Sequence, residues 1–384
     1  QISRIKQTIE NSIDIKQKIY YSYGFLISGQ ETRCVVVVHH LVIDIVSWYL
    51  LLDAFVKTYQ KGVLSDLPSP AHILLPKIYQ HLEHMNWSKE LAYWQTYPKG
   101  QNDFHVTQPS VLTKSLSLPL HSISYSELLS FILMAIVKSK IEEIPYIALE
   151  GHGRGLGNYE DEAAHTIGWW TALYPFYVPE QNLDHYQWQL HVEKALQQLP
   201  ENGQHFGFLR YACQDSSIRH QLQNLRLPKV CFNYLGYVSI KTNHSLWEEM
   251  EGGFQFSRHP KNHLPHPMEI NGYKDNEHLH LTILYEKKLF TEETIHHFIT
   301  TLKNFHGHSY TPLTPAQLGI WQHETQRQAG LTYLVQGEIQ GRGKLHHSRL
   351  SDAWRRYLRI QPALRMVIRT DAQGAPYQNP FLES

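Results

Sequence analysis

The sequence predicts an α/β protein with mixed β-sheets. Residues 34–40 form a Val-rich run typical of a buried strand, and the pattern becomes helical after Asp44. In the same way, residues 125–139 are apolar at helical spacing, and residues 144–150 form a short strand that runs into glycines. Strands that alternate with helices in two successive blocks favour α/β layers over a helical bundle or an all-β sandwich.

The rest of the chain fits the same class. Residues 61–76, with three prolines, and the polar residues 97–110 are expected to be a loop and a linker. The other expected elements, in chain order, are helix 1–16, strand 20–27, helix 87–94, helix 187–199, strands 228–235 and 278–285, helix 291–305, strand 333–339, helix 345–359 and strand 364–369. The elements after residue 310 form a third block.

The composition excludes several classes of protein. The chain has 384 residues, which suggests two or three domains or lobes, and its 35 Lys and Arg residues equal its 35 Asp and Glu residues. A protein that neutralises phosphates would show a basic excess, so no nucleic-acid partner is expected. Three widely separated cysteines offer neither a disulfide framework nor a zinc motif, which favours a reducing, cytoplasmic location. The 26 histidines are scattered, so no metal site is expected.

A membrane is not an expected partner either. The longest apolar stretch, residues 35–56, contains two histidines and two aspartates, which would be costly in lipid. Residues 1–17 mix polar and apolar types and lack the pattern of a signal peptide.

Two histidines end the Val-rich strand, and an aspartate follows them. Because side chains alternate along a strand, one of His39 and His40 can point into a cleft while the other packs on the opposite side. An imidazole in a cleft could act as a general acid or base, and Asp44 could fix the turn or pair with a buried arginine. Histidines satisfied within the core are the alternative. Metal ligation is disfavoured because neighbouring strand residues point apart.

A carboxylate marks the end of another predicted strand, in the sequence Glu150-Gly151-His152-Gly153-Arg154. The glycines allow the backbone to approach a ligand closely. Glu150 could act as a base if it is partly desolvated, or it could form an ion pair with Arg154. A phosphate-binding loop is excluded because no glycine register fits G-x-G-x-x-G and no G-K-S/T sequence follows.

A third pair of candidates, Asn233 and Tyr234, lies near the end of a predicted strand. Both side chains could donate hydrogen bonds to a developing oxyanion, or they could be structural. Covalent catalysis is not indicated, since Ser47 lacks a G-x-S-x-G elbow and Cys34 lies in the apolar strand. Acid–base chemistry is therefore favoured.

Five segments together resemble the condensation superfamily of nonribosomal peptide synthetases. HHLVIDIVSW, which starts at His39, resembles its HHxxxDG signature. EGHGR, TIGWWTALYP, FGFLRY and FNYLG resemble, in order and approximate spacing, the strings of its epimerization branch rather than those of condensation domains proper. The resemblance extends from about residue 1 to residue 306. The chain departs from the pattern at Ile45, where the family usually has glycine or another small residue.

The resemblance implies two chloramphenicol-acetyltransferase-like lobes that form a V with a central tunnel. Residues 1–110 would be the remainder of the first lobe, with the HHxxxD motif, and residues 111–308 the second lobe. Family members have well over a hundred residues before this motif, so the first lobe is expected to be incomplete at its N-terminus. Residues 309–384 include TPLTPAQLGIWQ, which resembles the start of a following condensation-type domain. Docking of this segment onto the first lobe is the alternative.

The resemblance also implies an isomerase that epimerises the α-carbon of an aminoacyl or peptidyl thioester. The substrate would hang on the phosphopantetheine arm of an upstream peptidyl carrier domain, next to other modules of the synthetase, so the chain itself would need no cofactor. A condensation domain that forms peptide bonds and a catalytically idle module that binds carriers are the alternatives.

The same resemblance assigns roles to individual residues. His40 and Glu150 match the family's acid–base positions. Tyr234, helped by Asn233, matches positions near the enolate or its protonation. The neighbouring His39 and Asp44 are expected to have supporting, structural roles.

Overall fold

The computed structural model describes residues 2–28, 31–62, 69–101, 104, 106–119, 123–180, 185–237, 262–275, 278–303, 311–327, 333, 335–336, 346–370 and 376–380. The helices are α1 (Ile2–Glu10), α2 (Ile45–Lys61), α3 (Ala71–Glu83), α4 (Ser88–Trp94), α5 (Tyr125–Lys138), α6 (Glu160–His165), α7 (His185–Gln198), α8 (Ser216–Gln223), α9 (Glu292–Lys303), α10 (Pro315–Arg327) and α11 (His347–Ile360). None of these described helices combines the length and apolar character needed to cross a bilayer.

The strands form three sheets. They are β1 (Tyr21–Ser28), β2 (Glu31–Val38), β3 (Val111–Pro119), β4 (Tyr146–Gly151), β5 (Ala172–Tyr177), β6 (Val230–Tyr237), β7 (Met268–Lys274), β8 (His278–Glu286), β9 (Thr311–Pro312), β10 (Met366–Thr370) and β11 (Pro376–Pro380). The largest sheet has the order β3-β8-β7-β6-β4-β5. Its pairs β4–β6 and β6–β7 are parallel and its other pairs antiparallel, so the predicted mixed α/β architecture is confirmed.

Register determines which side chains share a face of the large sheet. Leu149 pairs with Phe232 between β4 and β6, and Phe232 pairs with Ile270 between β6 and β7. All three side chains are fully buried, and we call their side of the sheet the core face. Because side chains alternate along a strand, the intervening residues lie on the opposite, polar face. The polar face carries Glu150, Cys231, Asn233, Glu269, Asn271 and Thr282.

Helix α5 covers the core face. Ser124 starts the helix with a capping box, in which its hydroxyl accepts from the Glu127 N–H and its own N–H donates to the Glu127 carboxylate. Every residue from Glu127 to Ile136 is buried, so the helix is apolar on nearly all sides. The Tyr125 ring stacks on Phe232 with centroids 6.3 Å apart, which joins the start of the helix to β6.

The first part of the chain forms a separate small sheet. Strands β1 and β2 pair antiparallel, and α1 packs against them. Gly24 has to be small here, because a Cβ at this position would lie 2.9 Å from Ile9 Cδ1. On the other face of β1, four alternate apolar side chains are exposed, namely Tyr21, Tyr23, Phe25 and Ile27. This face of the hairpin therefore presents apolar surface to solvent.

The last part of the chain has a sheet of its own, with the order β10-β11-β9. Helix α11 exposes Leu350, Trp354 and Tyr357. Its bounds and those of β10 lie close to the predicted helix 345–359 and strand 364–369. The predicted strand 333–339 lies outside the described residues, except for isolated positions.

Several expectations about local structure are wrong. The range 61–76 was expected to be a loop, yet α3 begins at Ala71 and continues through Pro76. Burial overrides the proline, since Leu74, Ile78 and Leu82 recur at helical spacing and are essentially inaccessible to solvent. Helix α1 ends at Glu10 rather than near residue 16. Strands β3, β5, β7 and β11 were not predicted, because their polar or aromatic residues obscure the alternation.

Candidate active site

The histidine motif lies in the turn between β2 and α2. The His39 N–H donates to the Tyr20 carbonyl at 2.7 Å, which continues the hairpin by one residue. Asp44 then caps α2, because its carboxylate accepts from the Ser47 N–H at 2.7 Å while its backbone is extended. Ile45 is the first residue of α2, where a β-branched side chain needs no small neighbour. The motif is therefore a strand end, a tight turn and a helix cap.

The two histidines have opposite hydrogen-bonding roles. His40 Nδ1 lies 2.6 Å from the Ile43 carbonyl oxygen, which can only accept, so Nδ1 carries the proton in the neutral ring. His40 Nε2 then has the lone pair. His39 Nδ1 instead accepts from the Leu41 N–H at 3.0 Å, so its lone pair is used within the turn. His40 is exposed and packs beside Trp169, with ring centroids 6.2 Å apart. This arrangement leaves His40 as the ring suited to general acid–base work.

A buried ion pair joins the histidine motif to the EGHGR segment. Arg154 donates from Nη1 to Asp44 Oδ2 at 2.6 Å and from Nη2 to Asp44 Oδ1 at 3.1 Å. Both side chains are at most 5% exposed. The expectation that Asp44 pairs with a buried arginine is met by this contact. Because two charges are removed from water, the pair is stable only if the remaining hydrogen-bonding capacity is also used.

The TIGWW segment supplies much of that capacity. Trp170 N–H donates to Asp44 Oδ2 at 3.0 Å, and Arg154 Nη2 also donates to Ser47 Oγ at 2.8 Å. Ser47 in turn accepts from the Gly168 N–H and donates to the Gly168 carbonyl. Burial alone would raise the pKa of Asp44, but the hydrogen bonds from Arg154, Ser47 and Trp170 outweigh it and hold that pKa below its ordinary value. Three sequence-distant motifs thus meet at one carboxylate.

Gly153 allows this meeting. Its φ is +60°, a conformation that residues with a side chain rarely adopt. A Cβ at this position would lie 1.7 Å from the carbonyl oxygen of Trp170. The second glycine of EGHGR is therefore required by the close approach of two backbone segments, not by a phosphate ligand.

Glu150 lies at the end of β4 on the polar face. Its side chain is half-buried, and Cys231 Sγ lies 3.8 Å from its Oε1. Burial raises the pKa of Glu150, and the negative charge of Glu269 raises it further. The His40 ring and the Cys231 thiol act in the opposite direction and only partly offset this. The structure thus brings Glu150 and His40 close enough for their charges to interact.

Asn233 and Tyr234 lie on opposite faces of the sheet. Asn233 shares the polar face with Glu150, whereas Tyr234 shares the core face with Phe232. The Tyr234 ring stacks on Tyr125 with centroids 5.7 Å apart. Burial raises the pKa of Tyr234 to about 12, so its hydroxyl keeps its proton near neutrality. The structure brings together His40, Glu150 and the Asn233 side of β6, and it places Tyr234 on the other side of that strand.

The FGFLRY segment is part of the core. Phe206 packs on Trp94 with ring centroids 4.8 Å apart, and Phe208 is buried against Trp87. Arg210 donates to the Leu222 carbonyl at the end of α8. These contacts indicate a structural segment that holds α4 and α8 together.

Metal ligation finds no support in the described part of the chain, where no three His, Cys, Asp or Glu side chains are arranged to hold an ion. The reactive groups near His40 are a carboxylic acid, an amide and a thiol. Such groups suit proton transfer and hydrogen bonding.

Sequence reasoning missed Glu269 and Cys231 as neighbours of Glu150, and it named Arg154 only as an alternative partner of that glutamate. In fact Arg154 bonds Asp44. A signal for Glu269 was present, since the segment MEINGYK alternates polar Glu269 and Asn271 with buried positions. The neighbours of Glu269 could not be deduced, because they depend on the register between β6 and β7.

The chain belongs to the Condensation domain family. The family model for the Condensation domain matches residues 1–143, 119–305 and 307–380, which together cover nearly the whole chain. The first two matches contain the HHxxxD turn and the large sheet described above. The third is a separate match to the same family.

Its relatives include components of peptide synthetases. The chain is 24% identical to a linear gramicidin synthase subunit from Brevibacillus parabrevis over 98% of its length, and 24% identical to surfactin synthase subunit 1 of Bacillus subtilis over 83%. It spans only 6% and 10% of the length of these two proteins.

Solved structures share the fold. The epimerization domain from the third module of tyrocidine synthetase B matches with a TM-score of 0.62, 22% identity, and coverage of 85% of this chain and 77% of that domain. A condensation domain that mediates chain release from the enacyloxin polyketide synthase matches with a TM-score of 0.55, 12% identity, and coverage of 88% and 67%. At these identities the likeness concerns the fold.

Removing one partner of the buried ion pair should destabilise the protein strongly. Arg154→Met leaves the Asp44 carboxylate buried without its counter-charge, so we expect a loss of about 3–5 kcal/mol in the free energy of unfolding, measured by urea denaturation. The double variant Asp44→Asn/Arg154→Met should recover part of that loss. Lys57→Met is the control, because the Lys57–Asp53 pair is about half exposed and its loss should cost less than about 1 kcal/mol. Equal losses for the two single variants would contradict the structure.

A side chain at Gly153 should not be tolerated. Gly153→Ala places a methyl group against the Trp170 carbonyl, so we expect a loss above about 4 kcal/mol or no folded protein. Gly207→Ala is the matched control, because Gly207 has helical φ and open space around its Cβ position. That variant should be neutral or stabilise the protein by about 0.5 kcal/mol. Thermal denaturation of both variants decides the comparison.

Proposed function

We propose that the chain epimerises the α-carbon of an aminoacyl or peptidyl thioester carried by the phosphopantetheine arm of an upstream carrier domain. The observation that carries this proposal is the pair His40 and Glu150. A ring whose Nε2 carries a lone pair and a carboxyl group with a raised pKa lie within charge-interaction range of each other. Two titratable groups that flank one carbon are what inversion by proton transfer requires.

In the proposed reaction, His40 Nε2 removes the α-proton from one face of the thioester. The electron pair of the broken C–H bond moves into the enolate of the thioester carbonyl. Protonated Glu150 then gives its proton to the α-carbon from the opposite face, and the enolate electrons form the new C–H bond. Exchange of protons with water restores a neutral His40 and a protonated Glu150. The reverse sequence converts the product back, so the net result is a mixture of the two configurations.

Asn233 is the proposed donor to the enolate oxygen. Its amide N–H groups lie on the same sheet face as Glu150, and hydrogen bonds to a developing oxyanion lower the barrier to its formation. Tyr234 shares a stack with Tyr125 on the core face, so its proposed role is to hold β6 against α5. This reverses the order of importance that the resemblance implied for the two residues.

Similarity supports the epimerization branch without deciding it. One matching structure is an epimerization domain, while several others are condensation domains. A condensation domain would also use His40, but it would join two carrier-bound substrates. An idle carrier-binding module would leave the substrate unchanged. The sequence strings from EGHGR onward favour the first of these three functions.

Residues 309–384 are proposed to begin a further condensation-type domain, with an adjacent synthetase module after it. The separate family match over residues 307–380 supports this division. So does the three-stranded sheet that β9, β10 and β11 form among themselves. Residues 1–110 and 111–308 remain the proposed parts of the preceding domain.

Solvent exchange at the α-carbon tests the proposed reaction. An L-aminoacyl carrier incubated with the protein in deuterated water should gain deuterium and become a D/L mixture, measured by mass spectrometry and chiral analysis after release. His40→Ala and Glu150→Gln should each lower inversion by about 100-fold or more, the usual contribution of a general acid or base. His84→Ala, at the end of α3, is the matched control and should keep the wild-type rate.

The outcome also separates the alternatives. Amide formation between two loaded carriers without deuterium gain would indicate a condensation domain. Binding of the carrier with neither reaction would indicate an idle module. Asn233→Ala should reduce exchange more than Tyr234→Phe does, and the opposite order would overturn the role given to Asn233.

Deleting residues 309–384 tests the division of the chain. Independent units contribute additively, so the free energy of unfolding of residues 1–308 should change by no more than about 0.5 kcal/mol. A larger loss on deletion, with aggregation through the apolar face of β1, would support docking of the last segment onto the first lobe instead.

A further inference from the structure

Three titratable side chains lie in a row on the polar face. Glu150 is on β4, Cys231 is on the neighbouring strand β6, and Glu269 is on β7, where it pairs directly with Cys231. Cys231 is 4% exposed, and its Sγ lies 3.8 Å from Glu150 Oε1. The thiol is therefore packed between two carboxyl groups.

This row acts as a coupled unit. Two carboxylates at such close range disfavour each other's ionisation, so the pair holds a proton to higher pH than a lone carboxyl group does. Burial, together with the charges of Glu150 and Glu269, raises the pKa of the Cys231 thiol well above its ordinary value. Cys231 consequently stays an S–H donor near neutrality and does not compete for the proton as a thiolate.

We propose that Glu269 and Cys231 are positioning residues for the proton that Glu150 delivers: Glu269 keeps the proton on the carboxyl pair, and the Cys231 thiol directs the Glu150 carboxyl. This inference deepens the proposed epimerization and rests on it for its chemical meaning. The arrangement of the three side chains stands on the strand register and the sulfur–oxygen contact.

The benefit of such a row follows from the need for matched groups. A free glutamic acid and a free histidine differ by about two pKa units, so a proton passed between them would strongly favour the imidazole. Raising the pKa of Glu150 narrows this difference and leaves a protonated carboxyl group available to act as the acid. Inversion in both directions is fastest when neither group holds the proton too tightly.

The groups that act on Glu150 come from several elements. In the described residues they are Cys231 on β6, Glu269 on β7 and His40 in the turn before α2. On β5, the residue paired with Glu150 is Leu173, which carries no charge. The guanidinium that follows in the EGHGR segment is directed to Asp44, so its contacts are with the ion pair described above.

The test is an infrared titration of the carboxyl C=O band in the full chain, which reports on Glu150 without turnover. The band that is present in the wild type and absent in Glu150→Gln should titrate with a midpoint above that of free glutamic acid. In Glu269→Gln that midpoint should fall by about one pH unit, the ordinary spread of carboxyl pKa values in proteins. Glu269→Asp keeps the charge and should keep most of the shift. Glu292→Gln, on the exposed first turn of α9, changes the net charge equally and should leave the midpoint unchanged.

Solvent exchange at the α-carbon in the same variants gives the second readout. Glu269→Gln should shift the pH profile of exchange to lower pH by the same amount as the infrared midpoint, and Cys231→Ala should shift it partially. A midpoint that stays in place in Glu269→Gln would overturn the inference, whatever the activity. If Glu269→Gln does not fold, a wild-type midpoint equal to that of free glutamic acid would also overturn it. A shifted midpoint in a protein that exchanges no α-protons at any pH would instead refute the proposed function and leave the coupled pair standing.

Discussion

The ion pair between Asp44 and Arg154 is the interaction on which the arrangement of the site depends. It removes two charges from water, and it is tolerable because Trp170, Ser47 and the cap of α2 satisfy the carboxylate. The Asp44 carboxylate fixes the turn that carries His40, while Arg154 follows directly on the strand that carries Glu150. A single buried contact therefore sets the distance between a turn and a sheet edge that are more than a hundred residues apart in the sequence.

The alternation of the large sheet decides which groups can take part in chemistry. Along β6, successive side chains serve different tasks: Phe232 and Tyr234 bind the sheet to α5, while Cys231 and Asn233 line the polar face. A motif written as FNYLG hides this division, because both the amide and the phenol look capable of hydrogen bonding. On the polar face, the neighbours of Glu150 come from β6 and β7, so the chemistry of one carboxyl group depends on three strands.

Much of this could be predicted from sequence, for identifiable reasons. The Val-rich strand before His39, the helix after Asp44 and the helix that became α5 carry strong periodic patterns, and the structure confirms them. The motif order led to the correct family. Contacts that depend on register or on distant segments could not be predicted, such as the pairing of Cys231 with Glu269. Helix α3 was missed because its prolines suggest a loop, whereas burial of Leu74 and Ile78 decides its structure.

Amide hydrogen exchange at Ser47 and Trp170 tests the organising role of the ion pair most directly, since both N–H groups donate to the Asp44 carboxylate. In Arg154→Met, the protection of these two amides should fall together, while the amide of Phe232 within the sheet keeps its wild-type protection. Unchanged protection of Ser47 and Trp170 in a folded Arg154→Met protein would contradict the account, because the turn that carries His40 would then be held in place without the arginine.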